Sequence, residues 1–79
     1  MIDQDAQYCS NILDVVWKNY DKWKYTQPAL ITYTAVEFLN AYNKIKIDQD
    51  KKRVWSNLFA HQRFCTRVLE LLQGQTRMF

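Results

Sequence analysis

Apolar side chains recur every three or four residues along most of this 79-residue sequence, in three consecutive blocks. That spacing is the period of an α-helix that buries one side, whereas a half-buried strand alternates with period two. No block alternates with period two for long enough to indicate a strand. A single glycine and a single proline leave few points at which a helix must stop. The sequence therefore predicts an all-α fold.

Three helices are expected. Their predicted bounds are near 4–25, 28–46 and 49–73, followed by a tail over 74–79. Pro28 marks the first junction, because proline cannot donate to the helical ladder and disfavours the α conformation in the residue before it. Asp48 and Asp50 offer acceptors to the unpaired N–H groups at the start of the third helix. Gly74 is the usual type of residue just beyond a helix end.

Short connections between these helices favour an up-down-up three-helix bundle, since neighbours joined by a few residues pack roughly antiparallel. The whole chain, 1–79, then forms a single helical domain. A chain of this length buries only about 60 to 65% of the surface that its unfolded form exposes, so its core is modest. A homodimer that shares a larger core is the alternative arrangement.

The sequence also predicts a location. No run approaches the ~18 apolar residues of a membrane span, and the first five residues are acidic where a secretory signal would be basic and then apolar. Two cysteines are too few for a disulfide scaffold. We therefore expect a cytoplasmic protein with reduced cysteines and no membrane association.

Charge is distributed unevenly along the chain. Residues 51–79 contain six Lys or Arg and one acid, which gives a net charge of +5. Residues 1–25 and 26–50 each have a net charge of −1. Such an asymmetry indicates a binding partner rather than a reaction.

The apolar seam of a continuous third helix consists of Val54, Leu58, His61, Cys65, Val68 and Leu72. With about 100° per residue, four other side chains fall within an arc of roughly 80° opposite this seam. This predicted cationic strip consists of Lys52, Phe59, Arg63 and Arg67. On the second helix, Tyr33 and Val36 point away from the apolar stripe. These exposed apolar side chains exceed what a small monomer needs, so all six residues are predicted to bind a partner.

One cluster could hold a metal. His61 and Cys65 are four residues apart and therefore adjacent on a helix, and Cys9 lies on the apolar stripe of the first helix. An imidazole and two thiolates are ligands that zinc accepts, and a thiolate beside an imidazole can also act as a nucleophile. Structural zinc usually takes four ligands in closely spaced pairs, which this sequence lacks. We therefore expect a buried histidine beside two buried thiols, with no metal and no cofactor.

Catalytic patterns are also lacking. A phosphate-binding loop needs several glycines, and most acids lie at predicted helix ends or on polar arcs. The sequence predicts a small non-enzymatic interaction module, an adaptor, regulator or inhibitor, whose basic, aromatic-containing face binds an acidic surface of another protein. Its composition also suits a phage or mobile-element protein. The alternatives are a nucleic-acid-binding protein that uses the basic C-terminal helix, and a helical protein with a Cys/His metal site. Nucleic acid ranks lower because the net charge is only +3.

Overall fold

A computed structural model describes residues 3–77 of the backbone and the side chains of residues 3–73. Over the described backbone the chain forms four helices. They are α1 (Gln4–Thr26), α2 (Pro28–Lys44), α3 (Asp48–Phe59) and α4 (Gln62–Arg77). No strand occurs within residues 3–77. The predicted all-α fold is therefore confirmed.

Local signals at the first junction explain where α1 ends and α2 begins. The backbone N–H of Gln27 donates to the carbonyl of Trp23 at 2.9 Å and closes α1. Pro28 is the first residue of α2, where its missing N–H costs nothing. The turn is short, so α1 and α2 pack antiparallel. The Cys9 thiol lies 3.7 Å from the carbonyl of Phe38, far along the other helix.

The prediction of one helix over 49–73 is wrong, because the chain turns between α3 and α4. The N–H of Ala60 donates to the Asn57 carbonyl at 3.1 Å, and the N–H of His61 donates to the Leu58 carbonyl at 2.9 Å. These tight three-residue bonds end α3. The carbonyl of His61 then accepts the N–H of Cys65 at 2.8 Å and begins α4. The described chain therefore has four helices where three were predicted.

Burial of Phe64 gives the physical reason for this turn. On a continuous helix Phe64 would lie about 80° from the centre of the apolar seam and about 40° beyond Val68, its nearest member. In the structure its side chain is 1% exposed. Its ring meets that of Phe38 edge to face, with the centroids 5.9 Å apart. Tertiary packing thus overrides the periodicity of the sequence.

The predicted helix end at Gly74 is also wrong, because α4 continues to Arg77. Glycine in a helix costs about 1 kcal/mol relative to alanine, so one glycine does not have to stop a helix. The predicted tail over 74–79 is therefore helical as far as Arg77. Residues 78–79 lie outside the described part of the chain.

The core is formed by buried side chains from all four helices. Its largest fully buried members are Phe38, Phe64, Leu58, Val16, Val68 and Cys9. The Cα atoms span 37 × 35 × 17 Å, so the molecule is flat. A flat shape leaves a large fraction of each helix at the surface.

Hydrogen bonds to the carboxylates of Asp3 and Asp50 join the start of α1 to the α2–α3 connection and to α3. The Asp3 carboxylate accepts the N–H of Asp5 at 2.8 Å and that of Lys46 at 3.3 Å. These bonds lower the pKa of Asp3 below its ordinary value of 3.8. The N–H of Asp3 donates to the buried carboxylate of Asp50 at 3.2 Å. Arg53 lies 3.7 Å from that same carboxylate.

The lowered pKa of Asp3 makes stability depend on pH. The folded state favours the charged carboxylate, so its contribution is present above pH 3.8 and is lost as pH falls through the folded-state pKa. We expect the difference in free energy of unfolding between the parent and Asp3→Asn to be largest at neutral pH and to shrink in acid. Urea titrations at several pH values measure this difference. Asp14→Asn is the control, because that exposed carboxylate accepts no hydrogen bond from the described residues.

Candidate functional site

A groove with a volume of about 660 Å³ lies where α2, α3 and α4 meet. We call it the lysine groove. It is lined by Leu39, Tyr42, Asn43, Asp48, Lys51, Lys52, Trp55, Ser56 and Leu72. Its floor is apolar, and its α3 edge carries two cations.

Aromatic packing fixes the floor of the lysine groove to the core. The ring centroid of Tyr42 lies 6.5 Å from that of buried Phe38, in a stacked arrangement. Trp55 packs against Tyr42 at 5.8 Å, and Phe59 meets Trp55 edge to face at 5.2 Å. Such pairs contribute about 0.5 to 1.5 kcal/mol beyond their buried area. The groove is therefore held in shape before any ligand arrives.

Helical spacing explains why α3 presents this surface. Lys51 and Trp55 are four residues apart, and Lys52 and Phe59 are seven apart, so each pair lies on one side of the helix. Val54 and Leu58 are buried, and they lie three and seven residues after Lys51, so they adjoin Lys51 and face away from Lys52. Their burial places Lys51 and Trp55 at the margin of the core and Lys52 and Phe59 farther out.

The two lysines differ electrostatically from the nearby arginines. Lys51 places its Nζ 5.3 Å from the centre of the Tyr42 ring, a cation–π contact. Within the described residues, neither Lys51 nor Lys52 forms an ion pair. Both lie near the N-terminus of α3, where the helix dipole opposes positive charge. Asp48 is the one acid in the groove lining. The α3 edge therefore offers positive charge to an anion.

The predicted cationic strip is divided by the turn between α3 and α4. Arg63 donates through Nη1 to Asp21 at 2.7 Å, and its guanidinium lies over the Tyr20 ring. Arg67 lies 3.5 Å from Glu70 on its own helix. Lys52 and Phe59 lie instead on the side of α3 that borders the lysine groove. The structure thus keeps two of the four residues together and places the other two beside acids.

The two predicted residues of α2 are three residues apart and share its exposed side. Val36 is three residues before Leu39 and seven before Asn43, both of which line the lysine groove, but Val36 is not itself part of that lining. Tyr33 is four residues before Glu37, which accepts the hydroxyl of Tyr8 at 3.2 Å. Tyr33 therefore faces the α1 side of α2.

Of the residues that line the groove, the predicted partner-binding set includes only Lys52. It lacks Tyr42, whose ring reaches from the core to the groove. It also lacks Lys51 and Trp55 on the α3 edge. The signal that could have found them is the four-residue spacing that places a cation beside a tryptophan on one helix face.

In the described part of the chain no three potential metal ligands converge. The expectation of a buried histidine is wrong, because His61 is only half-buried. The His61 Nδ1 lies 2.8 Å from the Asn57 carbonyl. A carbonyl only accepts, so this nitrogen carries the proton. The imidazole also meets the Trp17 ring edge to face at 5.5 Å. His61 thus donates to a carbonyl at the C-terminal end of α3. It also lines a second groove, of about 380 Å³, between α1 and the α3–α4 turn.

The two thiols are buried in the core. Burial, followed by the charges of Asp5 and Asp3, raises the pKa of the Cys9 thiol to about 12. Burial likewise raises the pKa of Cys65. A thiol with a raised pKa holds little of the thiolate that reacts and binds metal. The environment of both cysteines is therefore that of small buried apolar side chains.

Comparison with family models, with curated proteins and with solved structures gives no match for this chain. Among the described residues, no helix combines the length and the apolar composition that a bilayer span requires.

Buried thiols of raised pKa should react slowly. We expect the cysteines of the folded chain to react with a disulfide reagent at least about a hundredfold more slowly than a free thiol. The fold must first open locally, and the exposed thiol must then lose its proton before it can attack the reagent. Denaturant should expose both cysteines and raise the reaction rate of each to that of a free thiol. Cys9→Ala and Cys65→Ala, measured separately, assign the two rates. Rapid reaction of the folded parent that added zinc suppresses would contradict this description of the cluster.

Proposed function

We propose that this chain is a non-enzymatic protein-interaction module whose lysine groove binds an acidic segment of another protein. An apolar side chain of the partner packs against Tyr42 and Trp55, and its carboxylates lie near Lys51 and Lys52. The observation that carries the proposal is the combination of an open aromatic floor with two lysines that have no ion pair among the described residues.

The energetics of interfaces support this reading. Aromatic side chains in partly closed pockets contribute much of the binding energy in protein complexes, while charges at the rim set association rate and partner choice. Phe59 extends the floor with a ring that is 53% exposed. Lys51 and Lys52 lie near the N-terminus of α3, where the helix dipole disfavours positive charge and so lowers the stability of the free chain. An anionic partner would offset this loss of stability.

A protein partner is favoured over nucleic acid for a specific reason. The two arginines of α4 that the sequence placed in the strip lie next to Asp21 and Glu70. Phosphate binding commonly uses more cations than the two lysines of the groove. We therefore propose a cytoplasmic adaptor, regulator or inhibitor that recognises an acidic, amphipathic segment.

The proposal can be tested with a synthetic amphipathic peptide that carries leucine at helical spacing and glutamate elsewhere. Chemical shifts of the ¹⁵N-labelled chain, followed during the titration, should change mainly at the lysine groove, including the indole of Trp55. Changing Lys51 and Lys52 together to Glu should raise Kd about tenfold or more, because attraction becomes repulsion. Added salt should weaken binding by the parent.

Matched controls separate the groove from net charge. Lys24→Glu combined with Lys44→Glu changes the net charge by the same amount at exposed sites outside the groove lining, and should leave Kd nearly unchanged. A peptide with glutamine in place of glutamate should bind more weakly. If a short oligothymidylate bound more tightly than the acidic peptide, nucleic acid would replace protein as the partner. Equal loss of binding in both double variants would contradict a role for the groove.

A further inference from the structure

The outer face of α1 and the adjoining edge of α2 carry apolar side chains that take no part in the lysine groove. Tyr8 and Val15 are each 46% exposed, and Tyr33 is 61% exposed. Tyr8 donates its hydroxyl to Glu37, which places the carboxylate of α2 at one end of this surface. We call it the α1 face.

The residues along the α1 face form a symmetric series. Tyr8, Asn11, Val15, Asn19 and Lys22 are spaced by three, four, four and three residues and fall within an arc of about 80°. A two-fold axis through Val15 would set Asn11 of one copy opposite Asn19 of the other. The same axis would set Lys22 opposite Tyr8 and Glu37. Self-complementarity of this kind is what a two-fold interface requires.

Charge also permits two copies to meet here. The segment from Gln4 to Lys44 contains four lysines and four acids, so its net charge is zero. Residues 51–79 have a net charge of +5 and would repel a second copy. Within the described residues, neither Lys22 nor Glu37 forms an ion pair. An ammonium from the second copy would lie near a carboxylate and the Tyr8 ring, both of which attract it.

We infer that a second copy of this chain docks on the α1 face, with the two α1 helices antiparallel about Val15 and Lys22 of each copy paired with Glu37 of the other. The inference goes beyond the proposed function, since this face shares no lining residue with the lysine groove.

Sedimentation equilibrium of the full chain tests the inference. The parent should have twice the mass of one chain, with a dimer Kd that Val15→Glu raises at least tenfold. Ile47→Glu is the matched control, because that isoleucine is 47% exposed but lies in the connection between α2 and α3, away from the α1 face. It should leave the dimer intact. Circular dichroism of each variant shows that the exposed substitutions preserve the fold.

A charge swap tests the proposed register. Lys22→Glu alone and Glu37→Lys alone should each weaken the dimer, because each places like charges opposite one another. The variant that carries both changes should recover most of the parent affinity. A parent chain that stays monomeric up to millimolar concentration would overturn the inference. So would a dimer that Ile47→Glu weakens and Val15→Glu does not, or a double variant that shows no recovery.

Discussion

The contact between the rings of Phe38 and Phe64 determines the arrangement of the helices. It joins α2 to α4 at the centre of the core, where both side chains are essentially inaccessible to solvent. Phe64 reaches this position only because the chain turns at Ala60 and His61. A buried phenylalanine of this kind stabilises a fold by about 3 to 5 kcal/mol, which is a large share of the stability of a small domain. The turn costs only a few helical hydrogen bonds.

The surfaces of the molecule follow from that contact. Since α4 folds back along α2, α3 diverges from it, and the space between the three helices becomes the lysine groove. The same turn carries Arg63 toward Asp21 on α1 and so removes its charge from the α3 surface. Lys51 and Lys52 remain beside an aromatic floor. The burial of Phe64 thus places Arg63 and Arg67 beside acids and leaves Lys51 and Lys52 without an ion pair among the described residues.

The sequence reveals the parts of this structure that depend on local signals. Apolar periodicity predicts helices, and Pro28 marks a junction because its effect on the backbone is independent of context. The turn at Ala60 has no such signal, since the apolar period runs through it without interruption. Only the non-local burial of Phe64 reveals it. The placement of Lys52 and Phe59 on one side of a helix could be predicted because both lie within α3, whereas Arg63 and Arg67 lie beyond the turn.

Nuclear Overhauser spectroscopy of the aromatic protons tests the turn and the groove together. Cross-peaks should join the rings of Phe38 and Phe64, and others should join the Trp17 indole to the His61 imidazole. The first contact requires α4 to pack against α2, and the second places the turn between α3 and α4 beside α1. A continuous helical pattern of amide contacts from Asn57 to Phe64, without a cross-peak between Phe38 and Phe64, would show instead one long helix. The lysine groove would then not exist.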